Sequence, residues 1–506
     1  MKTMSQILKK PRSKVARHRS LQIASTVRSR GDLLFSIGKI LCFSLACLCV
    51  LLLNITYASS VVQSSESELE QESDVVIFRD DYFIDASHQQ PFKQKLDGLD
   101  DADLDQFILG RSFFSVPWVV APSATTARDG LGPLFNANTC TSCHVDNGAG
   151  IALADNGQPL RALTFKLAQP AKQGQREKES LINYGDPVYG RQVAINGNGK
   201  VAPEALTRLK HHKKIVTFPD GEIKELTFFE PYLENMNYGP LDTETQFALR
   251  QAPALAGMNL ISKTDPEVIL AYADPDDVDG DGISGRPNWV YDIAAQEMRL
   301  GKYGWKASQP TVVQQTADAA AHDMGLTNPL FPEELCTPAQ TDCLDAPRGR
   351  PTAFGILDLP QQRLDAIAFY VTSFKAPHPV TFSEQAKQGY SLFTSIGCSS
   401  CHRAQLTTKD GIKFAPYSDF LLHDMGEELA DGRPEYLAQT TEWRTAPLWG
   451  VGARVRQKQR FLHDARAADP LEAILWHGGE ADQVKQRFMA LDRVQREALL
   501  TFLEAL

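Results

Sequence analysis

Apolar positions along the chain fall into unlike stretches. One long run, 33–53, is broken only by Ser36, Gly38, Lys39 and Ser44. Helical spacing returns near the C-terminus. Ala386, Tyr390, Leu392 and Phe393 lie on one helix face and lead to a turn at Gly397,. Val494, Ala498, Leu499, Phe502 and Leu506 give a second face over 492–506, a natural partner for the first,. The stretch 357–374 also reads as helix, and the Pro-rich 375–379 reads as a boundary between modules,. Asp469, Pro470 and Glu472 mark a further helix start, with an acidic cap, Pro in the first turn and Glu at the third position. That helix is expected to reach His477 and stop at Gly478 and Gly479,.

The long apolar run follows nine Lys/Arg and no acid in residues 1–31, and small residues at 56–59 end it. This is the form of an export signal; an uncleaved anchor is the alternative. Either way residues 1–58 are a leader and the body lies outside the cytoplasm, in the periplasm. The membrane is touched only through that leader, if it is retained. The Ser/Glu-rich 59–75 opens a flexible tether extending to 99,. With 43% hydrophobic and 23% charged residues the remainder is ordinary globular protein,. The net charge is −10 despite the basic leader, so the body is strongly acidic. That excludes nucleic acid as a partner, which needs a basic face.

The nine cysteines change the picture most. Cys42, Cys47 and Cys49 belong to the leader. Cys336 and Cys343 bracket a short loop and suit a disulfide in an oxidising compartment,. The other four form two C-x-x-C-H strings, Cys140-Thr-Ser-Cys143-His144 and Cys398-Ser-Ser-Cys401-His402. Two thiols at that spacing each reach one haem vinyl group, and the adjacent His gives a nitrogen to iron. A zinc half-site would want a second ligand pair nearby, and a redox dithiol leaves the His unexplained. Two covalently bound haem c groups follow, with His144 and His402 as iron ligands.

The expected fold is mainly α. Two cytochrome c-like haem domains, 100–375 and 376–506, are joined by a large, partly irregular insert in the first. The insert carries one legible feature: Asp277, Asp279 and Asp281 alternate before Gly282, like the start of a calcium loop,. The closing Glu is missing, and Asn288 stands in its place. Calcium therefore competes with a solvated acidic turn.

The free axial position of each iron decides function. A six-coordinate haem carries electrons, and a five-coordinate haem binds a substrate. His423, Met425, His463 and His477 compete for the second haem; His477, at a helix end, has the best local logic.

At these residues the chain is similar to a known family. Gly130 to Asn136 with the first haem string, DPDDVDGDGISGRPN, YGWKASQP, LLHDMGEELADGR, RTAPLWGVG, FLHDARA and EAILWHGGEA resemble the dihaem oxidoreductases often labelled thiol oxidoreductases. The resemblance spans roughly 100–506. More remotely, it reaches the bacterial dihaem cytochrome c peroxidases. It implies His477 as the second ligand, since Glu472-Ala473-Ile474 matches the string before that ligand. It implies Trp305 as an electron relay between the haems and Gln315 in the distal pocket of the first. Where the peroxidases carry a catalytic Glu, this chain has Gly325. His322 and Asp323 stand close by as substitutes, either as distal ligand or as base. The resemblance also implies a small electron carrier as partner, a cytochrome or a cupredoxin, and peroxide as oxidant. A pure electron carrier with both haems six-coordinate is the alternative, and an oxygen-using enzyme is a third. The thiol label finds no support, because haem attachment consumes both thiol pairs.

Overall fold

Six helices position the site: α1 (Asp101–Ser115), α2 (Val312–Met324), α3 (Gln361–Thr372), α4 (Glu384–Ser395), α5 (Pro470–Leu475) and α6 (Arg493–Ala505). The computed structural model describes residue 79 and residues 81–169, 185–351, 353, 355–379 and 381–506. The expected leader and residues 59–78 of the expected tether lie outside them.

The six helices make two similar crossings. In the first, α1 lies on α3, and a Cβ on Gly110 would fall inside the Ala366 carbonyl. In the second, α4 lies on α6, and a Cβ on Gly389 would fall inside the Ala498 carbonyl. Only glycine lets two helix backbones approach this closely. The helix starts follow from local chemistry. Asp100 caps α1 by accepting the Asp103 N–H, and Ser383 caps α4 by accepting the Ala386 N–H,. Asp492 caps α6 in a reciprocal box with Gln495,.

Each crossing seeds a core. Phe113, Phe114, Leu364, Ile367 and Val371 belong to the first, and Phe393, Leu475, Trp476, Leu499 and Phe502 to the second. The cores draw on each other's halves of the chain. Phe414, Phe420 and Trp449 join the first core, while Phe218 and Leu226 join the second. All described residues fall in one compact unit.

The architecture is mixed rather than mainly α. Two strands, Leu206–Thr217 and Ile223–Glu234, form a long antiparallel hairpin, and Leu163–Ala168 pairs with Gln246–Gln251. The hairpin turn comes from Pro219-Asp220-Gly221, where Gly221 takes φ +89° and the Phe218 N–H donates to the Glu222 carbonyl,. The irregular appearance of the insert in sequence reflects these short ladders.

Residues 81–99, expected to extend the tether, are instead built into the body. Phe83–Asp85 pairs in parallel with Ala376–His378, and Phe83 and Phe92 are buried in the first core. Burial of two Phe outweighs the polar residues around them. Cys336 and Cys343 form the expected disulfide. Among the described residues no helix is long and apolar enough to cross a membrane.

Candidate functional site

The two C-x-x-C-H strings fold alike. Each begins as a short 3-10 turn, Cys140–Ser142 and Cys398–Ser400. The His144 N–H bonds the Cys140 carbonyl at 2.9 Å, and the His402 N–H bonds the Cys398 carbonyl at 3.0 Å. His144 Nδ1 then donates to the Pro253 carbonyl at 2.9 Å, and His402 Nδ1 to the Tyr417 carbonyl at 2.8 Å. With Nδ1 occupied, Nε2 could hold a metal, as in most metal-ligating histidines. The four cysteines are not paired with one another. Burial pushes the Cys140, Cys143 and Cys398 thiols up to about 12,.

In the second half His477 stands beside this arrangement. It follows α5, which starts as its sequence indicates: Asp469 accepts the Glu472 N–H and Pro470 occupies the first turn. His477 Nδ1 donates to the Ala473 carbonyl at 2.7 Å, which frees Nε2 as in the proximal histidines. His402 is held down at about 4, mainly by burial, and His477 is close enough to add to the effect. The three competitors are otherwise engaged. His423 is bound at both nitrogens, to Asp419 at 2.9 Å and Glu480 at 2.8 Å, and these carboxylates overcome burial to keep it charged. His463 stacks on Trp443, with ring centroids 3.7 Å apart. Met425 packs at the edge of the second core.

In the first half, His144 faces a cavity of about 680 Å³. Cys140 and Cys143 line it, and so do Trp305, Gln315, His322 and Asp323, brought together as expected. Trp305 donates its indole N–H to the Gln251 carbonyl at 2.8 Å and also packs against the second core. It therefore touches both halves. Asp323 accepts from Gln192 at 2.7 Å. His322 Nε2 lies 2.8 Å from Arg191 Nη2.

The lining fits a haem. Burial pushes Arg444 and Arg454 down to about 10, and neither makes an ion pair among the described residues. Arg454 donates through Nη2 to the Arg460 carbonyl, but its Nε has no hydrogen-bond partner among the described residues. A haem brings two propionate carboxylates, the group that guanidiniums bind best. Apolar walls from Phe114, Met258, Ile367 and Val371 suit its flat face,.

Residues 80–506 match the family model described as "Di-haem oxidoreductase, putative peroxidase". The chain belongs to this family. Among curated proteins none matches it. A solved chain of Kuenenia stuttgartiensis hydrazine synthase, pressurised with 20 bar xenon, is similar at 12% identity over 85% of this chain and 95% of that one. Its TM-score is 0.32, too low to carry an argument.

Within this di-haem oxidoreductase, Gly325 has a structural reason. It ends α2 at φ +63°, and a Cβ there would sit 2.7 Å from the Gly132 Cα. A left-handed cap pressed against another backbone has no room for a Glu. The acidic loop assembles differently from its expectation. Asp277 and Asp279 converge with Asp274, whereas Asp281 accepts the Ile283 N–H and lies outside the cluster. Sequence reasoning missed Arg191, Asp318, Arg444 and Arg454. Two left a signal: Asp318 stands one helical turn before His322, and Arg444 opens the RTAPLWGVG string.

Proposed function

We propose that the protein is an exported peroxidase-type oxidoreductase whose two halves divide the work. The second half receives electrons one at a time from a small cytochrome or cupredoxin. The first half reduces peroxide in the cavity faced by His144. Bound haem would supply the one-electron chemistry, held by Cys140, Cys143 and His144 in one half and by Cys398, Cys401, His402 and His477 in the other.

The observation that carries this reading is the contrast between the two far sides. Beside His402 stands His477, a second imidazole with its Nε2 free. The cavity that would seat the haem of His144 is lined by one other histidine among the described residues, His322, and its Nε2 is engaged by Arg191. Two imidazoles on one iron close it to ligands, and a single imidazole leaves a position open. Trp305 is the relay, because it lines the cavity and packs on the other core. Gln315 borders the same space, and Asp323 braces it through Gln192.

The test is steady-state turnover of hydrogen peroxide with a reduced small cytochrome. The wild type is expected to oxidise the carrier at a peroxide-dependent rate. Trp305→Phe is expected to slow that rate at least tenfold while leaving haem content and both oxidised spectra unchanged. A wild type that never oxidises the carrier with peroxide would contradict the reading.

A further inference from the structure

His322 and Arg191 meet at the cavity from unrelated parts of the chain. His322 sits in the last turn of α2. Arg191 sits in a segment that runs along the strand Leu163–Ala168, with the Arg191 carbonyl bonded to the Leu167 N–H. An arginine only donates, so His322 Nε2 is the acceptor and carries a lone pair,. The ring proton is therefore on Nδ1, where the Asp318 carbonyl at 3.0 Å and carboxylate at 3.2 Å receive it. His322 is thus fixed in one neutral tautomer, its basic nitrogen at the cavity wall and masked by a cation.

The groups around this pair are arranged to keep it so. Burial, Arg191 and Lys166 lower the His322 pKa, and Asp318 opposes them. Gln192 donates to the Asp323 carboxylate at 2.7 Å and to the His322 carbonyl at 3.1 Å, tying the Arg191 segment to the end of α2. From outside, Thr337 in the disulfide loop donates to the Val188 carbonyl at 2.7 Å. Glu204 accepts the Ala194 N–H at 2.5 Å. The Arg191 segment is held on both sides, which a merely space-filling arginine would not need.

We propose that His322 and Arg191 are the proton-handling pair of the first cavity, with Asp318 and Gln192 as positioning residues. The proposal rests on the peroxide reading above. Peroxide displaces Arg191 from Nε2, and Nε2 takes a proton from one peroxide oxygen. Arg191 hydrogen-bonds the other oxygen. The O–O bond breaks with its electron pair on that second oxygen, which regains the proton from His322 and leaves as water. Bound haem would supply the two electrons that the first oxygen lacks as the bond breaks; the reduced carrier restores them, and two protons from solvent complete a second water. A positioned base and a charged donor are the two elements that bond cleavage requires.

Cyanide reads the pair without turnover, since it arrives as neutral HCN and must leave its proton on a base. Association and dissociation are followed by absorbance on oxidised holoprotein, for the wild type, His322→Leu, His322→Gln, Arg191→Leu and Arg191→Lys. The wild type is expected to bind. Both His322 variants are expected to bind about 100-fold more slowly, with an unchanged starting spectrum. Arg191→Leu is expected to release cyanide about tenfold faster, with partial rescue in Arg191→Lys. Variants that keep their haems and bind like wild type would overturn the proposal. A His322 variant that turns high-spin and binds faster would also overturn it, by making His322 an iron ligand. A wild type indifferent to cyanide would instead sink the open-cavity reading itself. If the leucine variant fails to hold haem, the glutamine variant decides.

Discussion

His144 and His402 are held by the same two bonds, one from the backbone N–H to the first cysteine and one from Nδ1 to a remote carbonyl. Each string follows a helix that crosses another at a glycine, Gly110 on Ala366 and Gly389 on Ala498. The halves part in the histidine that accompanies each string. One half brings His477, held through Nδ1, and the other His322, whose Nε2 is engaged by Arg191. Attachment is thus a local property of five residues. The groups that accompany each string come instead from distant segments.

The largest expected effect comes from breaking attachment itself. Cys143→Ala and Cys401→Ala each remove one thioether, and each is expected to deplete holo-protein in its own half. Intact mass and the alkaline pyridine spectrum would show it, and two fully attached haems in either variant would refute the assignment. Next, His477→Gly should turn the second haem high-spin and leave the first unchanged, erasing the contrast between the halves. An unaltered spectrum would move the ligand elsewhere.

The shared crossings give a smaller effect. Gly110→Val or Gly389→Val forces backbones apart, and each is expected to cost about 3 kcal/mol, read as a fall in Tm. Equal Tm for wild type and variant would mean that the crossing is looser than it stands here. The smallest effect separates the halves by pH. Against the cost of burial, His423 and Ser284 hold the Glu480 carboxyl below its ordinary 4.5. Its stabilisation is therefore present above that value and lost as pH falls through the lowered one. Glu480→Gln should lower stability by about 1 kcal/mol at neutral pH and flatten the acid limb of a Tm profile. An unchanged acid limb would show that other carboxylates set it.

The chain discloses its local chemistry well and its long-range contacts poorly. Both haem strings, the apolar faces of α4 and α6, the cap of α5 and the Cys336–Cys343 pair were legible because each depends on neighbours in sequence. The helix at 357–374 was also legible, but not that it crosses α1 some 250 residues earlier. The hairpin strands escaped notice because their apolar residues alternate weakly with charged ones such as Lys210, Lys213 and Lys214. In the cavity, Gln315, His322 and Asp323 were reached through the family resemblance, and they lie together on α2. Arg191 and Arg454 reach it from elsewhere and carry no local mark. Phe83 and Phe92 were hidden by polar surroundings that suggested a tether.

The central claim is that one haem is closed and the other open. A single electron paramagnetic resonance spectrum of the oxidised holoprotein, before and after cyanide, tests it most directly. One low-spin signal that ignores cyanide, together with one high-spin signal that cyanide converts to low-spin, is the predicted result. Two low-spin signals, both indifferent to cyanide, would contradict it.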